Sequence, residues 1–218
     1  MSIETPFLGT SRNPFNYEKV EQVARDTVTQ WLTLDEITQQ LNLFQDESQD
    51  SYLNSIELAT RMAIEDYLGM SIFPTTYEAY YGSFSDLSTS QVYLDLPEIS
   101  QSFNGQPGVT INSVKYYNGA TPPVLTTLAS SNYYYDASGN RVVATGLPQT
   151  NNTGNANPIV VNYTCNASPL AQYPVIKQAG LMLLTHIYNQ RSDTTTENLR
   201  NIPFGVSTLL RPYKPLVM

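Results

Sequence analysis

The run Glu47-Ser48-Gln49-Asp50-Ser51-Tyr52-Leu53-Asn54-Ser55-Ile56-Glu57-Leu58-Ala59-Thr60-Arg61-Met62-Ala63-Ile64-Glu65-Asp66-Tyr67-Leu68-Gly69 decides how this chain is read. Leu53, Ile56, Ala59, Ala63, Ile64, Tyr67 and Leu68 recur at spacings of three and four, the period of one helical face. Asp46 to Gln49 supplies a start signal, and Gly69 is a natural left-handed stop. The spacing predicts a long amphipathic helix over 47–68, which needs a partner to cover its apolar face.

Upstream, Thr33-Leu34-Asp35-Glu36 is a capping box, and Leu34, Ile37 and Leu41 then share a face. This predicts a short helix over 33–42. Residues 1–32 show no clean period and are broken by Thr5-Pro6 and Asn13-Pro14. They read as an N-terminal arm with a helical turn near Val20–Val28.

Downstream the character changes. Residues 71–172 hold seven of the 11 Gly, eight of the 14 Pro and ten of the 16 Tyr. Alternating β-formers appear in 76–81, 91–96, 110–117, 132–135, 141–144 and 159–164. Turn dipeptides such as Asn104-Gly105, Asn118-Gly119 and Ser138-Gly139 separate them. The pattern is that of an antiparallel β module of about six strands, a sandwich or open barrel. Helical spacing returns after Pro174, a residue suited to the first turn. Val175, Ile176, Ala179, Met182, Leu183, His186 and Ile187 form an apolar stripe whose natural partner is the 47–68 helix.

The expected fold is therefore α+β: a small antiparallel helical bundle, an inserted antiparallel β-sandwich or barrel, and an extended C-terminal tail. The expected organisation is an arm over 1–32, a helical core from 33–70 and 173–191, a β module over 71–172, and a docking tail over 192–218.

Composition excludes several functions. The 218 residues carry a net charge of −8, which argues against non-specific nucleic-acid binding and against an anionic lipid surface. The charge is uneven: −8 over 1–70, −3 over 71–172 and +3 over 173–218. One Cys, Cys165, and one His, His186, rule out an intrachain disulfide and a Cys- or His-rich metal site. His186 sits in an apolar stripe with no Gly-x-Ser-x-Gly motif, which favours a structural role over a triad. The acidic pairs Asp35/Glu36, Asp46/Glu47 and Glu65/Asp66 fit helix termini and solvated faces better than a glycosidase site. No phosphate loop or dinucleotide fingerprint occurs, so no cofactor is implied. No secretory signal and no apolar run long enough to span a bilayer is visible, so a cytosolic origin is expected. Tyr133-Tyr134-Tyr135, if a strand, places two rings on one face and one on the other, where they either pack the module or offer a platform to a sugar.

Three segments carry a family resemblance. They are Leu32-Thr33-Leu34-Asp35-Glu36 leading to Leu41, Ile64-Glu65-Asp66-Tyr67-Leu68-Gly69, and Tyr173-Pro174-Val175-Ile176-Lys177-Gln178-Ala179 running through His186-Ile187-Tyr188-Asn189-Gln190-Arg191 to Ile202-Pro203-Phe204-Gly205-Val206 and Leu209-Leu210-Arg211-Pro212-Tyr213. The chain resembles the head–tail connector (head-completion adaptor) proteins of tailed bacteriophages over about 32–70 and 173–213. The β region fits the larger subgroup in general form, and the arm 1–31 departs from the pattern.

The resemblance implies a structural virion protein without catalytic activity. It implies a ring, usually of twelve copies, beneath the portal protein, joined to a downstream neck or tail protein, and assembled in the host cytoplasm. DNA would pass through without specific binding, and Asp46, Glu47 and Asp50 are expected to face that channel. In related adaptors the C-terminal segment engages the portal. Two placements follow for this one. In the first, Ile202, Pro203, Phe204, Val206, Leu209, Leu210 and Tyr213 dock on the portal or a neighbouring subunit, with Arg200, Arg211 and Lys214 setting register. In the second, the same apolar residues fold back on the two long helices as core. The competing function is a β-rich tail-tip or fibre-associated module that recognises glycan or receptor.

Overall fold

The computed structural model describes residues 16–43, 47–82, 91–97, 107–147, 157–190 and 204–214. It is an α+β protein that divides into two compact units. One gathers the described residues within 1–24, 76–98 and 109–164; the other those within 25–75, 99–108 and 165–218.

The second unit is helical. Its elements are α1 (Leu34–Leu41), α2 (Asp50–Leu68, after a 3-10 turn over Glu47–Gln49), α3 (Pro174–Asn189) and α4 (Phe204–Leu210), which runs into a 3-10 turn over Arg211–Tyr213. The cap of α1 is the one its sequence spells out. The Thr33 hydroxyl accepts from the Glu36 amide at 3.2 Å, and the Glu36 carboxylate accepts from the Thr33 amide at 2.9 Å. Left-handed Asn42 ends α1 and left-handed Gly69 ends α2. One apolar core fills the unit, built from Trp31 and Leu32, Ile37, Leu53, Ile56, Ile64 and Leu68, Ile176, Ala179, Leu183 and Leu184, and Val206 and Leu210. Gly180 is required where it stands: a Cβ there would lie 2.6 Å from the Trp31 ring, so only glycine lets the indole lie against α3.

The first unit is two sheets. Its strands are β1 (Tyr17–Arg25), β2 (Thr75–Tyr81), β3 (Gln91–Asp95), β4 (Val109–Tyr117), β5 (Leu125–Thr127), β6 (Tyr133–Asp136), β7 (Arg141–Thr145) and β8 (Ile159–Cys165). The larger sheet has the order β1-β2-β8-β4-β5 and the smaller β3-β7-β6. The β4–β5 pair is antiparallel and is turned by Asn118, whose side-chain oxygen accepts from the amides of Ala120 and Val124 at 3.1 and 3.0 Å. β7 is antiparallel to both its neighbours. Ala79, Tyr81, Leu94, Val114, Val142, Ala144, Val161 and Tyr163 are buried here.

The six strands expected from alternation are present as β2, β3, β4, β6, β7 and β8. Three local readings are corrected. The helical turn near Val20–Val28 is instead strand β1 through Arg25, an edge strand exposed over most of both faces and so lacking an apolar alternation to read. β5 was not legible because it has only three residues and none is buried. The closing residues are not extended over Phe204–Leu210, which form a helix two turns long.

Candidate assembly surface

A row of charged side chains on α2 determines how the helical unit is held together. Glu57, Arg61 and Glu65 are spaced four apart, which places them on one side of the helix, and all three are buried. Each binds backbone or a charge from the segment that precedes α1 or follows α2. The Glu57 carboxylate accepts from the amides of Trp31 and Leu32 at 3.1 and 3.3 Å. The Arg61 guanidinium donates to the carbonyls of Thr29 and Asp26 at 2.6 and 2.5 Å and stacks on the Phe73 ring at 4.8 Å. Glu65 pairs with Arg25 and accepts from the Ile72 amide at 2.7 Å. Burial raises the pKa of Glu57, and the two amides and Arg61 oppose that shift. The strap 25–32 is then finished by an apolar plug: the indole N–H of Trp31 donates to the carbonyl of Ala171 at 2.9 Å. In sequence these residues look like an ordinary solvated face, with charges at i and i+4. The signal that could have found them is the apolar Trp31-Leu32 pair, which needs something polar to anchor the chain beside it.

The C-terminal segment takes the inward placement for two residues. Val206 and Leu210 are 1% and 0% exposed within the chain's own core. In the single chain both are covered by α2 and α3, as the second of the two expected placements has it. Leu209 and Tyr213 pack against that core and are only partly covered. The Tyr213 ring meets Tyr173 edge-on at 6.1 Å, and the Lys214 ammonium sits 4.8 Å from the centre of the Tyr67 ring. Arg211 is exposed. Arg200, Ile202 and Pro203 lie outside the described residues, as does the side chain of Phe204.

Of the expected channel carboxylates, Glu47 is exposed and Asp50 half-buried at the start of α2, and Asp46 lies outside the described residues. Both described groups stand at the N-terminal end of α2, where the helix dipole favours a negative charge.

The residues weighed for chemistry have structural surroundings. His186 is half-buried on α3. Burial pushes the Cys165 thiol up to about 12, which leaves it a poor nucleophile. A polar groove of about 360 Å³ lies on the five-stranded sheet, lined by Lys19, Glu78, Tyr80, Lys115, Tyr117 and Val160 among others. There the Tyr80 hydroxyl lies 2.8 Å from the Glu21 carboxylate and 3.0 Å from that of Glu78. Burial and then these two carboxylates raise its pKa, so the phenol stays protonated. Among the described residues no group of His, Cys, Asp and Glu could hold a metal ion, and no helix is long and apolar enough to cross a membrane.

The fold is shared with chains of phage-like particles. A chain from the neck of an empty gene transfer agent (GTA) particle, computed with C6 symmetry, matches with a TM-score of 0.58 and 20% identity, over 92% of this chain and 97% of that one. A chain from the virion of a native GTA particle matches with a TM-score of 0.55 and 18% identity, over 91% and 96%. A chain from the neck of a native GTA particle, computed with C12 symmetry, matches with a TM-score of 0.55 and 19% identity, over 92% and 97%. No protein-family model and no curated protein matches the sequence. The fold thus defines a class, an α+β chain of the architecture found in those neck structures. Because both chains are covered nearly end to end, the likeness spans the helical and the β unit alike.

Proposed function

We propose that this chain is a structural protein of a phage-like neck, a head–tail adaptor. Copies form a ring beneath the portal protein, extend the DNA channel, and present a face to the next neck or tail protein. The observation that carries the reading is the likeness over 92% of the chain to a chain from a neck with C12 symmetry. The three sequence segments that resemble connector proteins all fall in the helical unit, and the comparison extends the likeness to the β unit. The role lies in the virion neck, requires no catalytic step and needs no cofactor.

Charge agrees with a conduit. Each copy carries −8, and a ring of like-charged copies repels phosphates instead of holding them. Glu47 and Asp50, with Asp46, are the carboxylates assigned to the channel wall. The docking role assigned to the tail falls on what its own core leaves uncovered: Arg211 and Lys214 as charge partners and Leu209 and Tyr213 as the partly covered apolar ones, together with Arg200, Ile202, Pro203 and Phe204. The fold does not favour the tail-tip alternative, since a helical unit with its own core accompanies the β unit.

Native mass measurement of the purified chain, alone and mixed with its portal protein, tests the reading. A ring of about twelve copies, formed alone or on the portal, supports it. A chain that stays monomeric and binds no portal contradicts it.

A further inference from the structure

The adaptor reading gives no role to the outward face of the three-stranded sheet. The pairing register fixes its composition. Tyr93 of β3 and Tyr134 of β6 both stand opposite Val143 of β7, so the three share one face in a row across the sheet. Two strand spacings separate the tyrosines, about 9.5 Å between backbones. The next row on that face is Asp95, Arg141 and Asp136. The row on the other side includes Gln91, whose side-chain oxygen accepts from the Tyr93 hydroxyl at 3.2 Å.

Exposure divides this face sharply. Val143 is 1% exposed, whereas Tyr93 and Tyr134 are 42% and 57% exposed. Of the central row only the two tyrosines are open to solvent. The Tyr134 side chain makes no ring, cation or hydrogen-bond contact among the described residues. The charged row beside them is held in advance. Asp136 accepts from Ser138 Oγ at 2.5 Å, from the Ser138 amide at 3.1 Å and from Arg141 Nε at 3.0 Å. The Arg141 guanidinium also stacks on Tyr93 at 4.4 Å. Gly139 makes room for this pair, since a Cβ there would lie 2.7 Å from both Arg141 Nε and Asp136 Oδ2. The surface needs little ordering on binding, which lowers the cost of taking a ligand.

From these features we infer that the outward face of the three-stranded sheet, at Tyr93 and Tyr134, is a binding site for a neutral polysaccharide. Pyranose C–H faces stack on the open tyrosine rings, and the Arg141, Asp136 and Gln91 side chains bond the sugar hydroxyls. Two carboxylates against one guanidinium leave the charged row negative, which disfavours a polyanion. A protein partner is disfavoured for another reason. Its contacts gain most from an apolar anchor in a desolvated pocket, and the one aliphatic residue of the row, Val143, is already covered. The inference goes beyond the adaptor reading and does not depend on it.

Affinity electrophoresis of the full chain in native gels cast with dextran, mannan or galactomannan tests it. The expected result is retarded migration in at least one of these gels. Retardation should weaken about tenfold in Tyr134→Ala and persist in Tyr134→Phe, with the melting temperature unchanged in both. Tyr93→Ala should weaken it as well. No retardation in any of the three gels overturns the proposal, and so does retardation that Tyr134→Ala leaves intact. If Tyr134→Ala instead changes the assembled mass without any polysaccharide effect, the face is a protein contact and the proposal is likewise wrong. The mass of the wild-type chain with its portal protein is read separately, so failure here does not count against the adaptor role.

Discussion

The helical unit and the β unit each use an arginine–carboxylate pairing, but to opposite effect. On α2, Glu65 pairs with Arg25, and the buried Glu57, Arg61 and Glu65 also bond the backbone of 25–32 and of Ile72. At the β6–β7 turn, Arg141 and Asp136 pair at the surface, with 34% and 20% of their side chains exposed. A buried charge that loses its partner is left uncompensated in a poorly solvated place, whereas an exposed one falls back on water. The same residue chemistry thus specifies one chain path in the helical unit and only arranges a surface in the β unit.

Arg61→Met should be the most damaging change. It leaves the carbonyls of Asp26 and Thr29 without their donor and removes the positive charge that favours buried Glu57, and should cost about 3–5 kcal/mol in urea unfolding. Glu57→Gln keeps the acceptor for Trp31 and Leu32 while removing the buried charge, so it should cost far less than Glu57→Ala. Equal losses in the two would show that the charge, not the hydrogen bonds, holds the strap.

Leu210→Ala comes next, with an expected loss of about 2–4 kcal/mol for the isolated chain. It separates the two placements of the C-terminal segment. If the monomer is unaffected and only assembly suffers, α4 is held by a partner and not by its own core.

Thr33→Ala removes the cap of α1 and should cost about 1 kcal/mol. Arg141→Met, at the exposed pair, should cost about 0.5 kcal/mol. A loss from Arg141→Met as large as that from Arg61→Met would erase the contrast between the two units.

The smallest effect is on pH dependence. Hydrogen bonds from Thr29, side chain and backbone, and from the Val28 amide lower the Asp26 carboxyl to about 2. A depressed carboxyl contributes stability above its unfolded value, about 3.9, and loses it as the pH falls towards 2. Acid unfolding of Asp26→Asn should therefore be shallower over that window than that of the wild type.

Much of this fold could be read from residue order because local signals and tertiary packing agree there. The Thr33–Glu36 box, Gly69 and Pro174 mark helix ends, and each does so in the structure. The strands β2, β3, β4, β6, β7 and β8 were legible because β-formers run through each and turn residues bound them. Legibility failed where that agreement is absent. β1 is polar on both faces because it is an edge, so Glu18, Lys19 and Glu21 mask a strand behind a helix-like composition. α4 is only seven residues long and is flanked by proline, and nothing local distinguishes it from a tail; Val206 and Leu210 become core only once α2 and α3 are packed. The α2 row was hidden for a different reason. Glu57, Arg61 and Glu65 have the spacing of a solvated face, and their burial depends on residues 25 to 40 positions away along the chain. The outward Tyr93–Tyr134 row was half legible: strand alternation sets Tyr134 apart from Tyr133 and Tyr135, but only the register brings Tyr93 onto the same face.

The central claim is best tested by cryo-electron microscopy of the neck of purified particles that carry this chain. Its density should form a closed ring of copies between portal and tail, around the axis along which DNA passes. Finding the chain instead at the tail tip, or as single copies with no ring at the neck, would contradict it.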